Sequence, residues 1–449
     1  MINRRQALAL LGAAGLAACA GPSRGGSAPS SPSGPGSPAP SSPAGFELAR
    51  SAVRRASVDP AATAEASRAV AGFTADLYRR IAVGAAANLV CSPYSVAVAL
   101  GMALQGARGR TAEQLLRVLH APAATGAAAA RLAAGLGGLD QALASRTRTW
   151  PDGEGKPVHV ELAPANSLWA QRDAAWQQPF LDVLAADFGA GVRLVDYRTR
   201  TEDARTAINA WVSGQTHTRI PTLIPPGVLD TLTRLVLVNA LYLKAPWQTP
   251  FDPTGTGRHP FTRPDGSTVT VDLMQDTLNA CGYAAGTGWT AVDLPYAGGQ
   301  LALAVILPDP GRFATVETSL NPTWLAGLMS GFRPATVQVG LPRWTTRTQT
   351  SLKDVLVGLG MPDAFDDAAD FSGMTEQQRL QISAVLHEGF IAVDEKGTEA
   401  AAATAVAMAF MGAPTPNRRF IADRPFLFAI HDVPTGTPLF IGRVGDPTA

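Results

Sequence analysis

The sequence predicts a mixed α+β fold built as one large domain, and three observations carry that prediction. At 449 residues the length alone allows about three domains, yet from about residue 50 onward no second Pro/Gly/Ser-rich linker and no internal repeat divides the chain. Helical and strand signals alternate irregularly along this body, not in a regular βαβ rhythm. Apolar residues make up 46% of the chain and charged residues 16%, so a sizeable core can be buried and global disorder is excluded.

The elements follow in order. Val70, Phe73, Leu77 and Ile81 recur on one helical face. Residues 93–106 and 111–119 also read as helices, with Thr111 as an N-cap. Residues 234–243, 301–307, 336–341, 380–393, 425–430 and 438–444 are apolar, β-branched-rich runs and read as strands.

Several function classes fall away. The balance of 37 basic against 36 acidic residues leaves no polyanion-binding stripe, so nucleic acid is a poor partner. Three Cys and no CxxC exclude a disulfide framework and a Cys-rich metal site; Cys91 and Cys281 lie in separate motifs and are expected to be buried and reduced. His387-Glu388 opens like HExxH, but Ile391 stands where the second His must be. Gly21-Pro22-Ser23-Arg24-Gly25 matches GxSxG but lacks the strand before and the helix after that a nucleophile elbow requires. No P-loop or GxGxxG is present. No catalytic residue, cofactor or metal is assigned.

The N-terminus reads as an address. Arg4 and Arg5 precede an apolar stretch, Ala7 to Ala18, that is too short to span a bilayer. Leu16-Ala17-Ala18-Cys19 resembles a bacterial lipobox, which implies a signal peptide over 1–18, lipidation of Cys19, and an exported cell-surface lipoprotein held to the membrane. The Arg pair also resembles a twin-arginine signal, so the export route stays open. Residues 22–45 contain seven Pro, eight Ser and five Gly and cannot bury a core. The expected organisation is a lipidated, flexible tether over 19–50 and a folded domain over 51–449.

Residues 395–416 do not fit a passive core. By propensity Glu399 to Met408 is a helix. With period two, Thr398, Ala400, Ala402, Thr404, Val406 and Met408 share one side, and Glu399, Ala401, Ala403, Ala405 and Ala407 the other. The first side is small and uncharged and could slide between existing strands; Glu399 would face outward. The segment is compatible with two states, as a switch requires.

This segment strongly resembles the hinge and reactive loop of the serpins, and the resemblance extends over about 65–449. It is carried by NLVCSPYSVAVALGMALQGARGRTAEQL (88–115), ANSLWAQ (165–171), FGAGVRLVDY (188–197) and LIPP (223–226). TRLVLVNALYLKAPWQTPFDP (233–253), AVLHEGFIAVDEKGTEAAAAT (384–404), ADRPFLFAI (422–430) and PLFIGRV (438–444) complete it. Thr218 stands where the family commonly has Gly. The resemblance implies three β-sheets, about nine helices and an exposed reactive-centre loop at about 395–420. It implies a monomeric suicide inhibitor whose partner, a serine protease, is trapped as a covalent acyl-enzyme when the cleaved loop inserts into the main sheet. A non-inhibitory binding or storage role is the alternative.

Roles carry over by position. Glu395 is the acid at the top of the strand before the loop; Gly397 and Thr398 are the hinge, followed by Glu399, Ala400, Ala401, Ala402 and Ala403. Ser92, Ser95, Asn239 and His387 match the shutter beneath the opening strands, and Trp247 matches the breach, where the loop first enters. Family spacing places the reactive bond at Met411–Gly412, with Phe410 as the alternative P1. An apolar P1 suits elastase-, chymotrypsin- or subtilisin-like enzymes.

Overall fold

The computed structural model describes residues 46–121, 126–399 and 415–449. The chain opens with β1 (Glu47–Ala49) and α1 (Pro60–Ala82). Asp59 caps α1, its carboxylate accepting from the amides of Ala61 and Ala62 at 2.9 and 3.1 Å, and Pro60 supplies a preset first turn. The apolar face built on Val70, Phe73, Leu77 and Ile81 is buried. Next come β2 (Leu89–Cys91), α2 (Pro93–Gly106), α3 (Gly109–Val118) and α4 (Gly126–Ala144). Thr111 does not cap α3. The helix starts two residues earlier, and the Thr111 hydroxyl instead accepts from the Asp370 amide at 3.0 Å.

Then follow β3 (Arg148–Pro151), β4 (Pro157–Gln171), α5 (Gln178–Phe188), β5 (Val192–Val195), α6 (Thr201–Gln215) and β6 (Leu235–Pro246). The middle of the chain gives β7 (Gly257–Thr262), β8 (Thr268–Gly286), β9 (Trp289–Pro295) and β10 (Leu301–Pro308). After these come α7 (Phe313–Ser319), α8 (Pro322–Gly331), β11 (Arg333–Pro342), β12 (Trp344–Ser351) and α9 (Lys353–Leu359). The last strands are β13 (Ala384–Asp394), β14 (Gly397–Thr398), β15 (Arg418–Ile421), β16 (Phe426–Asp432) and β17 (Thr437–Val444).

Among the described residues there are nine α-helices, and the strands join in two hydrogen-bonded networks. One is an eight-stranded sheet in the order β1-β5-β4-β6-β14-β13-β12, with β3 beside β4. The other runs β15-β11-β8-β9-β10-β16-β17-β2, with β7 beside β8. The 19-residue β8 pairs with β7, β11 and β9 and so carries one ladder through what the resemblance counts as two sheets.

Strand β6 explains its own sequence. It is buried on both faces: Leu235, Leu237 and Leu241 enter the main core, while Val236, Val238 and Ala240 face Ile208 and Val212 of α6. A strand covered on both sides reads as an unbroken apolar run. The folded part also begins earlier than residue 50. Strand β1 pairs antiparallel with β5 at the sheet edge, and the Phe46 ring meets Trp169 edge-on at 4.8 Å. Residues 46–50 therefore belong to the body and not to the tether.

Candidate functional site

The centre of the eight-stranded sheet holds a slot. Strands β6 and β13 run parallel and pair directly at one end, Val236–Ala240 against Ala384–Glu388. At the other end β14 lies between them, antiparallel to both: Thr398 is paired with Ala245 and Val393, and Gly397 with Pro246 and Asp394. Between these ends, 241–244 of β6 and 389–392 of β13 face each other without a ladder. The first two residues after Lys396 already occupy the mouth as a nascent strand.

Gly397 is required there. Its φ is +147°, and a Cβ would collide with the Ala245 carbonyl oxygen. Thr398 points to the main-core side, where its hydroxyl lies 2.6 Å from the Tyr296 hydroxyl, both groups buried. The Tyr296 ring stacks on Trp247 at 4.7 Å and 4°. Trp247 donates its indole N–H to the Asp394 carbonyl at 2.9 Å and its backbone N–H to the Lys396 carbonyl at 2.9 Å. A buried aromatic pair thus fixes both the turn that leads into the slot and the first side chain inside it.

Glu395 sits in that turn with its side chain almost wholly covered. Arg343 grips its carboxylate in a fork, Nε at 2.8 and 2.9 Å and Nη2 at 2.6 Å, and the Thr256 hydroxyl donates at 2.5 Å. Burial alone would raise this carboxyl, but the Arg343 and Thr256 hydrogen bonds outweigh burial and hold it below its usual range.

At the closed end the polar groups on the α2 side of the sheet are neutral, while Glu388 on the other face pairs with Arg347. Ser92 caps α2 and donates its backbone N–H to His387 Nε2 at 2.9 Å. His387 Nε2 is therefore an acceptor, so Nδ1 carries the proton and donates to Asn239 Oδ1 at 2.6 Å. Full burial pushes the imidazole down to about 4, against a smaller upward pull from its bond to the Asn239 backbone. The Ser95 hydroxyl bonds Asn166 Oδ1 and the Ala240 carbonyl, tying α2 to β4 and β6. Ser92, Ser95, Asn239 and His387 thus come together directly under the point where β6 and β13 part.

Glu399 differs from its expectation. It lies on the face opposite Thr398, but that face is covered by the turn after α6, and the side chain is 3% exposed. Its carboxylate stands 3.1 Å from Arg219 Nε and faces Tyr242 and Lys244. Arg219, Arg343, Thr256, Tyr296 and Asn166 were not singled out in the sequence. Each meets its partner across 50 or more residues, and no local spacing marks them. Ala400, Ala401, Ala402, Ala403, Phe410, Met411, Gly412 and Cys19 lie outside the described residues. Cys91 and Cys281 are free and buried, and burial pushes both thiols up to about 12.

Comparison with known proteins identifies this architecture. A family model described as Serpin (serine protease inhibitor) matches residues 68–447. The chain is 38% identical over 382 residues to an uncharacterized serpin-like protein of Thermococcus kodakarensis, covering 84% of this chain and 85% of that one. It is 34% identical over 387 residues to the leukocyte elastase inhibitor of Bos taurus, covering 84% and 97%. The solved native state of the thermophilic serpin tengpin matches with a TM-score of 0.74 at 26% identity, covering 88% of this chain and 96% of that one. The chain belongs to the serpin family. Its role is accordingly non-catalytic, of the protease-inhibitor kind.

Proposed function

We propose that this serpin is a suicide inhibitor of serine endopeptidases that cut after apolar residues, of the elastase, chymotrypsin or subtilisin kind. The observation that carries the reading is the two-residue strand β14, hydrogen-bonded on both sides at the mouth of a slot that no strand among the described residues fills below it. A strand so placed is the beginning of loop insertion. The small, uncharged residues that follow, Ala400 to Ala403, suit its continuation. The bovine relative is a leukocyte elastase inhibitor, which supports an apolar P1.

In this reading the protease's serine Oγ attacks the carbonyl carbon of Met411. The Met411–Gly412 bond breaks, the serine proton passes through the protease's own base to the leaving amine of Gly412, and an ester joins Met411 to the protease. Residues 399–411 then extend β14 between β6 and β13. At about 3.3 Å per residue the attached enzyme is carried roughly 43 Å, and its distorted site fails to hydrolyse the ester. The Cys19 lipid and the Pro/Ser/Gly tether hold the inhibitor outside the cytoplasm on a membrane. Two or more acyl chains, at about 0.8 kcal/mol per buried CH₂, suffice for stable retention.

The test is incubation with one protease of each kind followed by a denaturing gel. A denaturant-resistant adduct whose protease-linked fragment ends at Met411 is expected. Cleavage without adduct would favour a non-inhibitory binding role, and Cys19→Ala should abolish membrane fractionation without changing the adduct.

A further inference from the structure

The turn joining α6 to the rest of the chain, residues 216–220, crosses the slot. His217 Nε2 lies 2.7 Å from Glu161 of β4, and its ring packs on Tyr242 of β6 at 4.9 Å. Arg219 reaches the hinge carboxylate of Glu399 at 3.1 Å and lies over the Phe390 ring of β13 at 6.0 Å. The Arg219 carbonyl accepts from Arg347 of β12 at 2.5 Å, and Arg347 pairs with Glu388 of β13. One short turn therefore touches both sides of the gap and the segment inside it.

This turn is held in an uncommon conformation. His217 and Thr218 have φ of +47° and +63°, two consecutive non-glycine residues in the left-handed region, one of them β-branched. Outliers of this kind gather at switches. They aim Arg219 at the point where insertion stops. There Glu399 has φ of +51°, outside the extended range a strand needs, although its N–H still donates to the Ala392 carbonyl at 2.9 Å. Neither carboxylate oxygen of Glu399 has a hydrogen bond of good geometry. The side chain is a buried charge balanced by a cation that is itself half exposed.

We propose that Arg219 is the positioning residue that arrests the hinge after two inserted residues, by holding the Glu399 carboxylate, and that protonation of Glu399 releases the arrest. Insertion beyond Thr398 requires Glu399 to leave its left-handed conformation and the turn to yield. An ionised carboxylate tied to Arg219 opposes both movements; a neutral one does not, and the exposed guanidinium can then withdraw into water. Burial raises the Glu399 carboxyl above its usual range against the pull of Arg219, which favours release in mild acid. The groups around it are Tyr242 and Lys244 of β6, His217 with Glu161 of β4, and Glu388 with Arg347 across β13 and β12. Of these His217, paired with Glu161, sits in the same turn as Arg219, and it must be controlled.

This inference rests on the inhibitory reading, because an arrested hinge matters only to a loop that inserts. Its test uses no target protease. Full-length protein is incubated between about pH 7.5 and 5, and conversion to a heat-resistant form whose 400–416 segment resists a broad-specificity protease is timed. Wild type should convert about tenfold faster at the acid end, the factor that about 1.4 kcal/mol of altered barrier produces. Glu399→Gln should convert at the fast rate throughout, Arg219→Gln should resemble it, and Arg219→Lys, which keeps the charge, should restore the pH dependence. The proposal is overturned if Glu399→Gln keeps the wild-type pH ratio, if His217→Asn alone abolishes it, or if wild type converts at no pH. Normal pH-dependent conversion without any protease adduct would instead refute the inhibitory reading alone.

Discussion

Where β6 and β13 part, the side chains on the α2 side of the sheet are neutral, and the one ion pair there, Glu388 with Arg347, lies on the opposite face; where β14 bridges them, four charged side chains gather around the slot. At the closed end His387, Ser92, Ser95, Asn166 and Asn239 exchange hydrogen bonds with no ion among them. At the mouth, Glu395 is locked to Arg343 on one flank and Glu399 to Arg219 on the other. The difference has a mechanical sense. Neutral hydrogen bonds can be broken and remade as strands separate at a net cost of about 1 kcal/mol each. A buried ion that loses its partner costs about 3–5 kcal/mol. The closed end can open once insertion has begun, and the mouth decides whether it begins.

The strongest way to break this contrast is to place a charge where the mouth admits none. Thr398→Arg would drive a guanidinium under the sheet, beside the Tyr296 hydroxyl and against the Trp247 ring, with no carboxylate to receive it. If about 3 kcal/mol of that cost falls in the insertion barrier, insertion slows by more than about 100-fold. Deacylation is unchanged and wins the race. Gels should show the same cleavage site and almost no adduct. Thr398→Val, which removes only the hydroxyl, should retain most of the adduct. Glu399→Arg is unsuitable as a neutral control, because its side chain would meet Arg219.

The closed end is tested by pH. His387 has its pKa lowered from 6.5 to about 4, so between those values the unfolded chain binds a proton that the folded chain refuses. Stability is therefore unaffected above about pH 6.5 and falls as the pH drops from there toward 4, by at most about 3 kcal/mol. His387→Asn should flatten that limb of a denaturation series. A limb that persists unchanged would show that His387 does not stay neutral in the fold.

The mouth loses stability in the same direction, toward acid, but in a lower pH window and with a smaller effect. Glu395 is depressed from 4.5, so its contribution is present above that value and lost as the pH falls through its lower folded pKa. Arg343→Gln should cost about 1–2 kcal/mol at neutral pH, a modest figure because the guanidinium is half exposed. It should leave the limb between pH 6.5 and 4 intact. Loss of the His387 limb in this variant would mean the two ends are not separable.

Much of this layout was legible in the sequence. The unbroken apolar run of β6 and the period-two alternation around Thr398 came from residue type alone, and the resemblance supplied the slot between β6 and β13. What stayed hidden was of another kind. Thr256, Arg343 and Arg219 are ordinary polar residues in loops and strands, and they acquire meaning only through partners more than fifty residues away in sequence. Phe46 and β1 were lost against the neighbouring tether, because a three-residue strand carries no period. Glu399 was misjudged as outward-facing since period two fixes which face a residue takes but not what covers that face.

Thr218 offers the finest test, because the sequence marked it and the structure explains it. The position commonly held by Gly in the family has φ of +63° here, a conformation that costs an L-residue roughly 1–2 kcal/mol. The side chain recovers a little: its hydroxyl donates to the His217 carbonyl at 2.6 Å. Thr218→Gly removes the strain and that bond together, and it adds backbone freedom to the unfolded chain, roughly 0.5–1 kcal/mol in the opposite sense. The turn's own bonds, Thr218 N–H to the Ser213 carbonyl and Arg219 N–H to the Thr216 carbonyl, both 2.8 Å, survive the change. The net gain should be under about 1 kcal/mol, seen as a rise of about a degree or two in the thermal midpoint. Thr218→Val keeps the β-branch and loses the hydroxyl, so its midpoint should fall. A lower midpoint for Thr218→Gly would mean that the left-handed turn is not strained, and the mouth would then differ from the closed end in charge alone.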